Sequence, residues 1–466
     1  MILRVHPSPV KGRSGVPGSK SHTIRAVALA SLASGESRIR NPLESGDSAS
    51  AVAVYRALGA EIHPGPGDWR VHGFEGRPEA PRCLVDVGNS GTSCRLGLGT
   101  AALLHKGEAR FDGDAQTRKR PMGSLLSALS NLGAHARSEN DDGRLPARVG
   151  GPWRGGRTQV DGATSQYTSS LLLNAPFGGG ATVVEPVKLN ERPYVDMTLW
   201  WLDKLGLRFE REGYDRFRVP GGQALEGFDM EVPADFSSAA FLVAAGALPG
   251  GDILLEGLDM GDPQGDKAIL AMAAGMGAEV RAEDGALRVR GKALRGGEFD
   301  LNATPDLLPV MAVLGALAEG ETRLLNVPQA RIKETDRIAA MRQVLESLGG
   351  SAKELPDGLI VRGGGLKGGR AHGFGDHRVV MAAAVAGLAA PGGVEVDTAE
   401  AMRITFPDFC DRMRALGARM EAEPGAEPCP STSTSARRAG SSRATWSSSP
   451  RTAPSSPAAA AAPRSC

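Results

Sequence analysis

Two kinds of apolar stretch alternate along the chain at a regular step. One is helix-patterned with a polar face, ends in Leu-Gly or Met-Gly, and runs into a strand-like alternation. It occurs as ALGAEI from Ala57, NLGAHA from Asn131, KLGLRF from Lys204, GMGAEV from Gly275, SLGGSA from Ser347 and ALGARM from Ala415. The residue before the glycine falls at 58, 132, 205, 276, 348 and 416, in steps of 74, 73, 71, 72 and 68. The other kind is small-residue and apolar nearly all round, and ends in a glycine turn followed by a strand. Its copies are LASLASGES, TAALLHKGEAR, LLLNAPFGGGATV, LVAAGALPGGDIL, LGALAEGETRLLN and AVAGLAAPGGVEV.

A helix that is apolar on every side has to be buried, whereas one with a charged face lies at the surface. The glycine after each stops the helix. Each period therefore predicts strand–helix–strand–helix–strand, and six copies run to about Ala422. The fold class is α/β: a six-fold repeat, split three and three into two globular halves with a cleft between them. From Glu423 the pattern stops, and a Ser/Ala/Pro/Arg-rich segment without core-forming residues is expected to be disordered. It reads equally as a functional basic tail or as a frameshifted or read-through end.

Composition narrows the class. The 466 residues are 41% hydrophobic and 23% charged, as in soluble globular proteins, and 62 glycines announce many tight turns. The net charge is +1, but the segment from Pro428 on holds five arginines and no acid, which leaves −4 on the rest. A mildly acidic body argues against nucleic acid as a partner. The first residues, MILRVHPSPVKGRSG, lack the apolar core of a signal peptide, and the most apolar run, Val379 to Pro391, is too short to span a membrane. Five cysteines without a CxxC pair suit free thiols in a reducing compartment, and no metal-like cluster is present. A cytoplasmic protein is expected.

Polar clusters interrupt the repeats, nearly all at predicted helix starts. PGSKSHTIR (Pro17 to Arg25) combines free N–H groups with serine, lysine and arginine, the makings of an anion site or of an ordinary N-cap. GNSGTSCR (Gly88 to Arg95) brackets Asn89 and Ser90 with glycines, either a bare turn or a close approach to a ligand. TRKRPMG (Thr117 to Gly123) puts Arg118, Lys119 and Arg120 beside the positive end of a proline-started helix, which is unfavourable without an anion. In ARIKETDR (Ala330 to Arg337), Lys333 and Arg337 share a face if the segment is helical, and a salt-bridged first turn is the bland alternative. GDHR (Gly375 to Arg378) opens the most apolar helix with His377 and Arg378, costly to bury without partners. TSQY, ERPY and PDLLP add Thr164 to Tyr167, Glu191 to Tyr194 and Pro305 to Pro309. If these ends converge, the cleft binds something with several negative charges, including planar oxyanions that suit arginine.

In this order and spacing, PGSKS…R, GNSGT..R, RKRP, SQ, RPY.D, PD, KETDR, GDHR and TFPDF resemble the EPSP synthase family over about Met1 to Glu421. The resemblance implies an inverse α/β barrel of two domains, residues 1–18 with 232–422 and residues 19–231, with the active site between them. It implies transfer of the enolpyruvyl group of phosphoenolpyruvate to the 5-hydroxyl of shikimate 3-phosphate through a tetrahedral intermediate. Phosphate is released, no metal or cofactor takes part, and the enzyme is a monomer without membrane or nucleic-acid partners. By resemblance, Lys20, Ser21, Arg25, Thr164, Ser165, Gln166, Tyr194, Asp306, Gln329 and Lys333 contact shikimate 3-phosphate. Lys20, Asn89, Gly91, Arg120, Gln166, Glu334, Arg337 and Arg378 contact phosphoenolpyruvate. Asp306, Glu334, Lys20 and Lys333 carry the chemistry, Asp306 as base at the hydroxyl and Glu334 in proton traffic at C3. Gly91 implies sensitivity to glyphosate, because an alanine methyl there would clash.

Three positions depart from the family pattern. Ile404 replaces a lysine before TFP, with Arg403 next to it facing another way if the stretch is extended. Glu191 replaces a serine before the basic-Pro-Tyr triplet, and a carboxylate there would repel a phosphate, so it is expected to point elsewhere. Gln329 replaces an asparagine. Two other readings fit the repeat itself. One is the sister enzyme acting on UDP-N-acetylglucosamine, which needs a mobile-loop cysteine where this chain offers Cys94 in a helix. The other is a catalytically silent scaffold.

Overall fold

The computed structural model describes residues 1–423; the low-complexity segment lies outside them except for Glu423. Six sheets of four strands each organise the chain. In the third unit, strand Gly156–Asp161 enters helix Ser165–Asn174 and returns in strand Thr182–Val187, parallel to the first. Helix Arg192–Lys204 then leads to the antiparallel hairpin Glu210–Glu212 and Arg216–Val219. The other five units repeat this order. Each unit thus has one strand more than the hydrophobic pattern predicts. In five units the extra one is the second arm of a hairpin, as in Arg216–Val219, and in the sixth it is Ile2–His6.

Two units borrow their first strand. Asp229–Glu231 pairs with Glu36–Arg40, and Lys11–Gly15 pairs with Asp252–Glu256. Ile2–His6 lies between Val394–Val396 and Arg419–Glu423. The chain therefore passes between the halves twice, and the two passages touch: Ser19 N donates to Pro233 O at 2.7 Å and Asp235 N to Pro17 O at 2.9 Å. Buried apolar residues fall into two clusters. One joins Leu3, Val5 and Val10 to residues between Phe236 and Met420; the other runs from Ile24 to Val232.

At the centre of each cluster stand three of the all-apolar helices. Lys20–Leu32 and Ser165–Asn174 both pack on Gly91–Ala101, while Phe236–Ala247, Leu308–Leu317 and His377–Gly387 pack on one another. Every residue of Phe236–Ala247 and of His377–Gly387 is buried. Their small residues permit close approach: a methyl on Gly246 would lie 2.5 Å from Ile253 Cγ1. The Leu-Gly helices face outward, and their stop glycines take positive φ between 70° and 113°. Strands outside the core alternate, as in Glu36–Arg40 with Ser37 and Ile39 buried. Among the described residues no helix is long and apolar enough to cross a membrane. Cys94 and Cys410 are free thiols.

Candidate active site

The buried helices of both halves start at the same place. Lys20–Leu32, Gly91–Ala101 and Ser165–Asn174 from one half face Leu308–Leu317 and His377–Gly387 from the other, joined by the outer helix Arg337–Ser347. Caps set the starting residues. Ser90 Oγ accepts from Ser93 N at 3.3 Å, Asp336 from Ala339 N at 3.1 Å, and Asp376 from Arg378 N at 2.9 Å. Helix N-termini present unpaired N–H groups and a partial positive charge, so their convergence makes an anion-seeking cavity.

Sixteen residues line it: Lys20, Asp47, Gly91, Thr92, Arg95, Arg120, Thr164, Gln166, Glu191, Asp306, Gln329, Ile332, Lys333, Glu334, Arg337 and Arg378. Asp306 is the hub. Its Oδ1 accepts from Arg337 Nη1 at 2.7 Å, and its Oδ2 lies 2.8 Å from Arg378 Nη2 and 3.2 Å from the Tyr194 hydroxyl. Arg337 also grips Glu334 Oε2 at 2.6 Å and Asp376 at 2.8 Å. Lys20 Nζ stands 3.2 Å from Asp47, and Arg120 Nη2 stands 3.2 Å from Glu334 Oε1. That last pair lacks hydrogen-bond geometry. Arg120 Nε and Nη2, Arg95 Nε and Arg378 Nε are buried donors without a hydrogen-bond partner among the described residues. Donors this buried are costly unless an acceptor reaches them.

Burial pushes the carboxyls of Asp306 and Glu334 up, but the cations outweigh it. Arg378, Lys333, Arg337 and Lys20 hold Asp306 well below the usual range. Arg120, Arg337 and Lys20 do the same for Glu334. Burial keeps the Tyr194 phenol far above its ordinary value, so it stays a donor. It holds the His377 imidazole neutral, and neither ring nitrogen has a partner.

Of the residues expected in the site, Lys20, Gly91, Arg120, Thr164, Gln166, Asp306, Gln329, Lys333, Glu334, Arg337 and Arg378 come together here. Ser21, Arg25, Asn89, Ser165 and Tyr194 stand behind or beside the lining. Arg25 is fully engaged by the protein, donating to Thr198 Oγ1 (2.9 Å), Ser21 O (3.0 Å), Ser169 Oγ (3.3 Å) and Tyr194 O (2.9 Å). Asn89 Nδ2 donates to Asp114 and Gln116 at 2.6 and 2.7 Å.

Three local expectations need correcting. Glu191 does not point elsewhere: it lines the cavity, because Thr164, Ser165 and Lys333 all donate to its carboxylate. Lys333 is not on a helix, since the helix starts only at Arg337, where Asp336 caps it. The stretch at Arg403 is a turn of 3₁₀ helix, Ala399–Ile404, not a strand; Arg403 faces a separate apolar groove beside Trp69. Of the three cations at 118–120 only Arg120 enters the cavity, and Arg118 pairs with Asp112 at 2.6 Å. Asp47, Thr92, Arg95 and Ile332 were not singled out as site residues. Asp47 had a local signal, an acid in the first turn of helix Gly46–Ala57.

Such a six-unit α/β fold, with helix starts and arginines from both halves aimed at one cleft, defines an enzyme that handles small, multiply charged anions. The family model for EPSP synthase (3-phosphoshikimate 1-carboxyvinyltransferase) matches residues 5–413. The chain belongs to that family. It is 51% identical over 418 residues to the 3-phosphoshikimate 1-carboxyvinyltransferase of Acetivibrio thermocellus, covering 90% of this chain and 99% of the relative. It is 47% identical over 421 residues to that of Ruminiclostridium cellulolyticum, covering 90% and 100%. The solved EPSP synthase of Acinetobacter baumannii superposes with a TM-score of 0.76 at 28% identity, covering 91% of this chain and 100% of that one.

Proposed function

We propose that the enzyme transfers the enolpyruvyl group of phosphoenolpyruvate to the 5-hydroxyl of shikimate 3-phosphate and releases inorganic phosphate. The observation that carries this reading is the set of buried, unpartnered guanidinium donors on Arg120, Arg378 and Arg95 beside the ionised pair Asp306 and Glu334. A substrate bearing both a phosphate and a carboxylate supplies acceptors for them.

Asp306 acts as base, removing the hydroxyl proton as the oxygen bonds to C2 of phosphoenolpyruvate, with Lys333 beside it. Glu334, which takes up a proton from solvent as phosphoenolpyruvate binds, delivers it to C3. The tetrahedral intermediate then breaks its C2–O bond to phosphate, C3 returns a proton to Glu334, and the departing phosphate carries off the proton that Asp306 took from the hydroxyl. Glu334 is held ionised by Arg120 and Arg337; a phosphoenolpyruvate that draws those cations to itself raises the proton affinity of Glu334 at the moment it is needed. Lys20, Asn89, Gly91, Arg120, Gln166, Arg337 and Arg378 serve the phosphoenolpyruvate side. Ser21, Arg25, Thr164, Ser165, Tyr194 and Gln329 serve the acceptor, Arg25 by holding Ser169 and the Tyr194 carbonyl. Residues 1–18 with 232–422 and residues 19–231 form the two domains of a monomeric cytoplasmic enzyme.

The test is phosphate release from phosphoenolpyruvate with shikimate 3-phosphate, with UDP-N-acetylglucosamine, and with neither. Release with shikimate 3-phosphate alone supports the reading; release with neither acceptor, or only with the nucleotide sugar, overturns it.

A further inference from the structure

Glu191 is the one carboxylate in the cavity that is tied mainly to hydroxyl and backbone donors. Its Oε2 accepts from Ser165 Oγ at 2.8 Å, Ser165 N at 3.1 Å and Thr164 Oγ1 at 3.3 Å, and its Oε1 from Lys333 Nζ. The side chain is 1% exposed. Two hydroxyls, a backbone N–H at the first turn of helix Ser165–Asn174 and an ammonium make an oxyanion seat, and here the protein's own carboxylate fills it. The backbone aims it there. Glu191 has φ +55°, its N–H donates to Asn302 O of the opposite half at 3.3 Å, and Asn302 Nδ2 donates to Asn190 Oδ1 at 2.9 Å.

Resting on the functional reading above, we propose that Glu191 is a specificity-determining residue of the acceptor pocket. Its carboxylate holds the Thr164–Ser165–Lys333 seat and must yield it to the phosphate of the acceptor. The carboxylate and a phosphate cannot share the seat, because both are anions needing the same donors. A ligand whose binding-competent state is populated only in part pays for the remainder in apparent affinity. Lys333 comes from the opposite half, so the internal pair also draws the halves together when the pocket holds no acceptor. When the phosphate arrives, Lys333 and the Ser165 N–H transfer to it, and the Glu191 side chain rotates into the cavity it already lines.

The test compares the wild type with Glu191→Gln and Glu191→Ser, using inorganic phosphate as probe. Phosphate binding is measured by titration calorimetry with and without saturating phosphoenolpyruvate, so that the seat occupied by the latter is told apart. Expected is phosphate affinity about tenfold higher in both variants, in the phosphoenolpyruvate-insensitive fraction. The acceptor KM should fall by a similar factor while the phosphoenolpyruvate KM stays put. Unchanged or weaker phosphate binding in both folded variants overturns the proposal, as does a raised acceptor KM. If Glu191→Ser loses its fold, Glu191→Gln keeps the length and one acceptor oxygen and decides alone. Absence of turnover with shikimate 3-phosphate in the wild type would refute the functional reading and leave the phosphate measurement to judge Glu191.

Discussion

Arg337 and Asp376 form an ion pair sealed from water: Nε to Oδ2 is 2.8 Å, Nη2 to Oδ1 is 3.2 Å, and the side chains are 1% and 0% exposed. Asp376 also caps helix His377–Gly387. Removing one member of a buried pair leaves an uncompensated charge, so Asp376→Ala is expected to cost about 3 kcal/mol of stability in urea denaturation. A loss below about 1 kcal/mol would mean that Asp306 and Glu334 absorb Arg337 unaided.

Asp306→Asn preserves shape and removes the base. The expected result is a fall in kcat of about 10²- to 10⁴-fold, with the thermal midpoint lowered because Arg337 and Arg378 lose the carboxylate they share. Because the cations hold Asp306 well below the usual carboxylate range, it stays ionised from pH 5 up, and no acid limb in the wild-type rate profile between pH 5 and 8 comes from it. A variant retaining most of its kcat would remove Asp306 from the chemistry.

Asp266 behaves in the opposite way. Buried and beside Ser237, it is pushed up to about 7 by burial and then by Asp306, against Arg378 and the Ser237 hydroxyl. A carboxyl whose folded pKa is raised gives stability that is present at pH 4 and lost as pH rises to 7, by up to about 4 kcal/mol. The stability gap between Asp266→Asn and the wild type is therefore expected to widen in favour of the variant from pH 4 to pH 8. A gap independent of pH in urea melts would show that Asp266 is ionised throughout.

Gly91 sits against the guanidinium groups. A Cβ there would lie 2.5 Å from Arg120 Nη1 and 2.9 Å from Arg95 Nη1. Gly91→Ala must displace Arg120, and the KM for phosphoenolpyruvate is expected to rise about tenfold or more. Glyphosate should inhibit the wild type, with its inhibition constant raised more than that KM in the variant. Wild-type turnover unaffected by millimolar inhibitor would contradict this.

Cys94 is fully buried, and burial pushes its thiol up to about 12. Iodoacetamide at neutral pH is expected to leave turnover intact, since the thiolate is the reactive form. Loss of activity that follows labelling of Cys94 would favour a cysteine-dependent enolpyruvyl transfer instead.

Much of this was legible in the chain. The Leu-Gly step gives all six units because each glycine is a helix stop whose positive φ the side chain alone predicts. Eleven of the expected site residues line one cavity because helix starts are local features, and the fold needs only to bring them together. What was not legible depends on partners far away in sequence. Glu191 turns inward because Lys333, 142 residues on, and the left-handed backbone held by Asn302 direct it there. Arg25 is braced behind the lining because Thr198 and Tyr194, from another unit, accept from it. Lys333 stays outside the helix because Asp336 caps it, and an aspartate that can cap reads, in sequence, like one that continues a turn.

The interlaced strands have a consequence for synthesis on the ribosome. A nascent chain that has reached residue 231 already holds every strand of the sheets between Glu36 and Val219, including the borrowed Asp229–Glu231. The other half has no such moment. Ile2–His6, made long before either neighbour, lies between strands that end at Val396 and Glu423. At about 5–20 residues per second that strand waits tens of seconds for its neighbours, an unpaired edge in the meantime. One half folds as it is made, and the other closes only around its own beginning, after the last repeat has left the tunnel.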